Sequence, residues 1–141
     1  MMEHIRKKAA ALLARCDTAV LASVDEDGCP RPVPMVALRT EGVSTVWFST
    51  EKDSVKVRQF RADPRAGVCF YERGNMVTLT GTVEIRTDAA TRSELWQPWM
   101  AEHFAGGVDD PAYCVLRFTA HRMRYWLDGD FAEAGVQADR T

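Results

Sequence analysis

Two prolines, Pro32 and Pro34, lie within a strand-like segment at 31–39 and limit where that segment can sit in a sheet. Proline has no backbone N–H and cannot donate to a β-ladder, so within sheets it is confined to edges, first residues and bulges. The start of this strand is therefore predicted to form a sheet edge or to remain unpaired. Backbone exposed in this way could face a ligand.

Short strands and helices account for most of the remaining chain. Residues 3–15 carry apolar side chains at helical spacing, and 76–86 alternate apolar and polar residues with the period of a half-buried strand. Further strands are predicted at 18–24, 44–49, 66–71, 113–119 and 123–127, and further helices after Asp53 or Ser54 and over 89–104 with a break at Pro98. The first three strands are expected to form a meander.

This order of elements indicates the fold class. About five to seven short strands with three helical interruptions do not fit alternating β-α-β units and instead fit an antiparallel barrel with helices at its ends. We therefore predict an α+β, mainly β fold. One domain is expected at 1–128, followed by a C-terminal tail at 129–141 whose small polar residues favour disorder.

Composition and charge exclude several classes of protein. The chain carries 18 basic and 20 acidic residues, a formal net charge of −2, so it has no positive field to attract nucleic acid. The apolar stretch near the N-terminus ends at Arg15, which is too short for an export signal, and no apolar run is long enough to span a bilayer. We expect a cytoplasmic protein without nucleic-acid or membrane partners.

The sequence shows no metal site and no residue with an evident catalytic role. The cysteines are widely separated and are predicted to be reduced thiols used mainly in packing: Cys16, Cys29, Cys69 and Cys114. The histidines are scattered without the local spacing of a zinc site: His4, His103 and His121. A paired-carboxylate motif and a nucleophile elbow are also absent from the sequence.

Segment 48–56 gathers hydroxyl and amine groups where a strand ends and a helix begins. Ser49, Thr50 and Ser54 supply hydroxyls, and Lys52 and Lys56 supply amines. Together with the free N–H groups and the positive dipole end of the helix, these groups would bind a phosphate. A simpler interpretation also fits, in which Ser54 caps the helix and the two lysines are solvated.

Two further kinds of residue could contribute to such a site. Arg31 lies on the neighbouring strand, and its guanidinium could reach the same phosphate as a bidentate partner, unless it is only an exposed edge charge. Tryptophans offer stacking surface for a flat heterocycle, although packing in a core or interface is the commoner role of each: Trp47, Trp96, Trp99 and Trp126.

Several short motifs follow one another in a characteristic order between Thr18 and Leu127. They are Gly28-x-Pro30, Trp47-Phe48-Ser49-Thr50 with Ser54-x-Lys56, Asp63-Pro64-Arg65-Ala66 and Thr80-Gly81-Thr82-Val83. More specific are Leu95-Trp96-x-Pro98, Phe104-x-Gly106-Gly107-x-Asp109-Asp110-Pro111 and Arg124-Tyr125-Trp126. As an ordered set they resemble the FMN-binding split barrels of the pyridoxamine 5′-phosphate oxidase type, specifically the general stress protein branch.

This resemblance implies an antiparallel split β-barrel that forms a homodimer, with two flavin sites at the subunit interface, each built from both chains. FMN is the expected cofactor, with FAD as the alternative flavin. Carried over by position, Ser49, Thr50, Ser54 and Lys56 would hold the phosphate and ribityl chain, and the backbone of Val33, Pro34 and Met35 would run along the isoalloxazine ring. Arg31, Lys52 and Trp126 complete the expected cofactor-binding residues.

The sequence departs from the family pattern in two places. Val33 stands where the family usually has an arginine that binds the phosphate, so Arg31 and Lys52 are expected to substitute for it. The arginine–histidine pair with which a true pyridoxamine phosphate oxidase binds pyridoxal phosphate is missing after Asp128. Oxidation of vitamin B6 is therefore not expected.

Three functions remain open from the sequence. The first is an FMN-dependent oxidoreductase of unknown substrate, reduced by a small-molecule electron donor. The second is a non-catalytic stress protein that binds or stores flavin. The third, which the valine at position 33 keeps open, is a barrel homologue that has lost flavin or uses haem or a deazaflavin instead.

Overall fold

The computed structural model describes residues 2–136 and shows one antiparallel sheet that curves into a half-barrel. The helices are α1 (Met2–Arg15), α2 (Val55–Ala62) and α3 (Ala89–Leu95), with short 3₁₀ helices at Pro98–Glu102 and Gly107–Asp109. The strands are β1 (Thr18–Val24), β2 (Pro30–Val36), β3 (Arg39–Glu41), β4 (Thr45–Glu51), β5 (Arg65–Glu72), β6 (Asn75–Arg86), β7 (Tyr113–Leu127) and β8 (Asp130–Gly135). The predicted α+β, mainly β class is confirmed.

The order of strands in the sheet is β2-β1-β5-β6-β7-β4-β3. Strand β8 pairs with the C-terminal part of β7, which does not pair with β4. Strand β2 is therefore at one end of the path, and within residues 2–136 it pairs with β1 alone. The expectation that the proline-containing strand forms a sheet edge is confirmed.

The prolines also decide which side of β2 remains free. The ladder with β1 needs N–H donors, and Pro30, Pro32 and Pro34 have none, so the donors must come from Arg31, Val33 and Met35. Backbone groups of successive strand residues point in opposite directions. The carbonyl groups of the three prolines therefore point away from β1, along an edge with few N–H groups for another strand to use.

The half-barrel stays open between β2 and β4. Just after β2, the Leu38 N–H donates to the Trp47 carbonyl oxygen of β4 at 2.8 Å, so the chain leaves β2 against that strand. No ladder joins β2 to β4 in the portion of the chain that the structure describes. The edges of the two strands therefore face each other without being paired.

Two apolar clusters lie on opposite faces of β4, because alternate residues of a strand point to opposite faces. Val46 and Phe48 belong to the larger cluster, which fills the half-barrel, and α1 closes over it with Ala9, Leu12 and Leu13. The smaller cluster consists of Trp47, Leu95, Met100, Phe104, Tyr113 and Val115. It fixes α3 and the first 3₁₀ helix against the outside of β4.

No helix within residues 2–136, including the 14-residue α1, has the length and apolar character needed to cross a bilayer. The break predicted at Pro98 is present, since α3 ends at Leu95 and a 3₁₀ helix begins at Pro98. The cytoplasmic location stays a prediction.

The predicted strand connections were wrong in two respects. The first three predicted strands form no meander, because β1 and β2 are paired but β2 does not pair with β4 within residues 2–136. The two strands predicted at 113–119 and 123–127 form the single strand β7, which continues through a register shift opposite Thr80 and Gly81.

The predicted disordered tail at 129–141 was wrong for its first part, because Asp130–Gly135 form β8. Asp128 and Gly129 adopt positive φ values of 52° and 85°, which turn the chain back onto β7. Trp126 then packs against Phe131, and Arg124 pairs with Glu133 across the two strands. The rest of the predicted tail, 137–141, lies outside the described residues.

Gly81 marks the register shift between β6 and β7. A Cβ at this position would overlap the backbone of Thr119, including its carbonyl oxygen, which belongs to the neighbouring strand. Backbone in a central ladder cannot move aside as a flexible side chain can. Only glycine therefore permits the close approach at this bulge.

We predict that Gly81→Ala lowers the free energy of unfolding by about 1–3 kcal/mol, the usual cost of overpacking. Urea unfolding followed by circular dichroism measures this change. Gly135→Ala is the matched control, because a Cβ at Gly135 meets no atom within 4 Å. Equal stability of the two variants would contradict the role given to Gly81.

Candidate functional site

Arg31 projects from β2 toward the inside of the half-barrel. It lies opposite Ser23, which is only 2% exposed, and shares its face of the strand with Val33 and Met35 because residues two apart point the same way. Helix α2 covers this end of β1, where Gln59 and Ser23 are joined by a side-chain hydrogen bond of 2.5 Å. Arg31 is thus held close to α2.

The start of α2 brings hydroxyl groups and an amine to the same place. Ser54 is the N-cap, and its hydroxyl oxygen accepts a hydrogen bond from the Val57 N–H at 3.4 Å. The Thr50 hydroxyl donates to Ser54 Oγ at 3.3 Å, and Lys56 Nζ donates to Thr50 Oγ1 at 3.3 Å. We call Arg31, Thr50, Ser54 and Lys56 the anion cluster.

The two cations of the anion cluster lie close together and are poorly solvated. Burial, and then the positive charge of Arg31, lower the pKa of Lys56. Arg31 Nη1 is buried and has no hydrogen-bond partner within residues 2–136. Burial raises the pKa of the neighbouring Cys114 to about 11, so this thiol is protonated at neutral pH and supplies no negative charge.

Holding two cations together in a partly buried site costs free energy unless an anion binds beside them. Two like charges in a partly buried site repel each other, and a buried donor without an acceptor loses its solvation. A phosphate group would accept hydrogen bonds from Arg31, Thr50 and Lys56 and would neutralise both cations. The residues of the anion cluster therefore fit a phosphate.

A cleft of about 260 Å³ begins at the anion cluster and runs between the unpaired edges of β2 and β4. Pro34, Met35, Ser49 and Thr50 line it, so four of the predicted cofactor-binding residues meet here. Its volume is below the roughly 300–1,000 Å³ of typical ligand pockets. The cleft of the described chain is therefore smaller than the pockets that usually enclose such ligands.

The far wall of the cleft comes from residues that were not predicted from the sequence as site residues: Trp99, His103 and Phe104. The Trp99 indole N–H donates to Gln97 Oε1 at 2.7 Å, and its ring meets the edge of His103 with centroids 5.9 Å apart. Trp99 is 37% exposed, so its ring remains available at the cleft. The sequence signal that could have assigned Trp99 and His103 to the site is their position shortly after Pro98, where the predicted helix is interrupted.

Three predicted site residues stand apart from the cluster. Lys52 is exposed, and its backbone N–H donates to the Ala112 carbonyl oxygen at 2.7 Å. Val33 is half-buried beside Arg31 and offers no polar group. Trp126 is 52% exposed on the outer face of the sheet, at the end of β7 remote from the part that pairs with β4. Within one chain it does not reach the cleft.

A larger concavity of about 600 Å³ lies elsewhere, on the outer face of β1, β5, β6 and β7. Two arginines line it, but Arg65 is paired with Asp63 at 2.7 Å and Arg122 with Glu133 at 2.7 Å. Both of these arginines are paired with carboxylates, whereas Arg31 Nη1 has no hydrogen-bond partner within residues 2–136. We therefore place the candidate site at the smaller cleft.

Residues 4–138 match the family described as "Pyridoxamine 5′-phosphate oxidase like". A search of curated proteins found no match.

Solved structures share the fold over nearly the whole chain. A Clostridium acetobutylicum protein related to general stress protein 26 of Bacillus subtilis, of the pyridoxinephosphate oxidase family, is 24% identical with a TM-score of 0.85, covering 95% of this chain and 96% of that one. General stress protein 26 of Bacillus anthracis is 19% identical with a TM-score of 0.79, covering 93% and 99%. The general stress FMN/FAD binding protein of Xanthomonas citri is 26% identical with a TM-score of 0.75, covering 99% of each chain. These similarities confirm the resemblance inferred from the ordered motifs.

Proposed function

We propose, since this chain belongs to the pyridoxamine 5′-phosphate oxidase like family, that it is a flavoprotein whose anion cluster holds the phosphate of FMN. The observation that carries the proposal is the pair of partly buried cations, Arg31 and Lys56, with a buried guanidinium nitrogen that has no acceptor among the described residues. The similar Xanthomonas citri protein, described as binding FMN or FAD, supports a flavin as the ligand.

Each part of the site would have a separate task in holding the cofactor. Arg31 and Lys56 neutralise the phosphate, while the Thr50 hydroxyl and the first turn of α2 orient it. The cleft between β2 and β4 receives the ribityl chain and the isoalloxazine ring, because it begins at Thr50. Phe104, which is 4% exposed, gives this cleft a rigid apolar wall.

FMN fits the anion cluster better than FAD does. A terminal phosphate monoester presents three oxygens and carries close to two negative charges at neutral pH. The bridging pyrophosphate of FAD presents a smaller charge on each phosphorus and must also accommodate the adenosine. Two adjacent cations favour the terminal phosphate, and we propose FMN as the principal cofactor.

The bound flavin would supply the redox chemistry, with the chain providing position and access. We propose an oxidoreductase, because the cleft is open to solvent beside Trp99 and His103, which leaves room for a small-molecule electron donor. The two partly buried cations favour a flavin-binding protein over a homologue that has lost flavin, because the charge of Arg31 disfavours the charged form of Lys56 until an anion joins them.

We further propose that the protein works as a homodimer whose flavin sites are shared between chains. Three large aromatic side chains are exposed on the outer face, Tyr71 at 68%, Trp126 at 52% and Phe131 at 61%. The registers place them in one row across β5, β6, β7 and β8, with Met76 between Tyr71 and Trp126. Such a row favours a protein interface, and a partner chain would bring its Trp126 to the incomplete cleft.

Purified protein is predicted to bind one FMN per chain, seen as flavin absorption that persists after gel filtration. Lys56→Ala should weaken FMN binding by about tenfold to a hundredfold, because it removes a charge-assisted contact worth about 1.5–3 kcal/mol. Lys7→Ala, which changes an exposed lysine on α1, is the matched control and should bind as the wild type does. Absence of flavin from reconstituted wild-type protein would overturn the proposed function.

Subunit mixing is expected to reveal shared sites. Arg31→Ala and Trp126→Ala homodimers should each bind FMN weakly, whereas a mixed dimer contains one site with both native residues. Titration of the refolded mixture should therefore recover about one tight site per mixed dimer. Trp126→Phe controls for loss of the aromatic surface and should keep the dimer intact. Binding in the mixture equal to the average of the two homodimers would contradict the shared site.

A further inference from the structure

The free edge of β2 has an unusual pattern of hydrogen-bonding groups. The backbone groups of Pro30, Pro32, Pro34 and Val36 point away from β1, because the intervening residues are the ones that exchange backbone hydrogen bonds with β1. Each of the four has an outward carbonyl group, but Val36 alone among them has an N–H. We call this row of backbone groups the proline edge.

The proline edge forms one wall of the cleft. Pro34 and Val36 line the cleft directly, opposite Ser49 and Glu51 of β4. Pro30, at the other end of the same edge, borders the large concavity on the outer face instead. A flat ring between β2 and β4 would therefore meet an edge rich in acceptors near Pro34.

Reduction changes the hydrogen-bonding pattern of an isoalloxazine ring. The oxidised ring has one N–H, at N3, and presents lone pairs at N1, N5 and both carbonyl oxygens. Uptake of two electrons and two protons places hydrogen on N1 and N5, so these atoms become donors. An edge that offers carbonyl oxygens repels the lone pairs of the oxidised ring and accepts hydrogen bonds from the reduced ring.

We propose that the proline edge makes this protein bind the two-electron reduced flavin more tightly than the oxidised flavin. This inference rests on the proposed flavin site and concerns its redox preference. Because Pro34 has no N–H, the edge lacks a donor that would otherwise stabilise the acceptor atoms of the oxidised ring. As a result, the bound flavin has a more positive midpoint potential than a flavin that is held by the same phosphate contacts without the proline edge.

The Pro34→Ala variant tests this inference, because it restores one N–H to the edge and leaves the ladder with β1 unchanged. The midpoint potential of bound FMN is measured by anaerobic titration with a reference dye. Pro34→Ala is expected to shift the ratio of oxidised to reduced affinities by up to about tenfold in favour of the oxidised form. For a two-electron couple this ratio corresponds to about 30 mV toward more negative potential.

Pro30→Ala is the matched control, since it restores an N–H on the same edge but away from the cleft. Its potential should equal that of the wild type. An unchanged or more positive potential in Pro34→Ala, or an equal shift in both variants, would overturn the inference while leaving the flavin site intact. Failure of the wild type to bind FMN, detected by absorption before the titration, would remove the proposed function and this inference together.

Discussion

The missing N–H groups of β2 determine how the half-barrel ends. Three alternating prolines allow this strand to exchange hydrogen bonds with β1 through its other residues and leave few donors for a second ladder. Within residues 2–136 the barrel therefore stays open between β2 and β4, and a backbone hydrogen bond from Leu38 to Trp47 connects the two sides just beyond β2. The opening is the cleft, so the feature that limits sheet formation also produces the candidate site.

The position of the anion cluster follows from the same opening. Arg31 points inward from the last strand of the sheet, and α2 closes that end of the barrel with Ser54 and Lys56 at its start. Burial and the positive charge of Arg31 both lower the pKa of Lys56, so the two cations lie close together in a partly desolvated corner. A phosphate bound here would stabilise this corner, and the cleft beside it would then determine the direction in which the rest of the proposed ligand extends.

Local features of the chain were predictable from the sequence, and long-range pairings were not. The bounds of β1, the cap at Ser54 and the edge position of β2 follow from turn residues, capping chemistry and proline. The pairing of β1 with β5 and the folding of Trp99 and His103 over β4 depend on contacts between distant segments. Strand β8 was missed because it is held by cross-strand pairs rather than by a hydrophobic pattern of its own.

The most direct test of this account compares FMN with riboflavin by isothermal titration calorimetry on the wild-type protein. The two ligands share the ring and the ribityl chain and differ in the phosphate alone. If Arg31 and Lys56 hold that phosphate, FMN should bind at least about a hundredfold more tightly, since two charge-assisted contacts of about 1.5–3 kcal/mol each are lost with riboflavin. Equal affinities for the two ligands would show that the anion cluster is not the phosphate site.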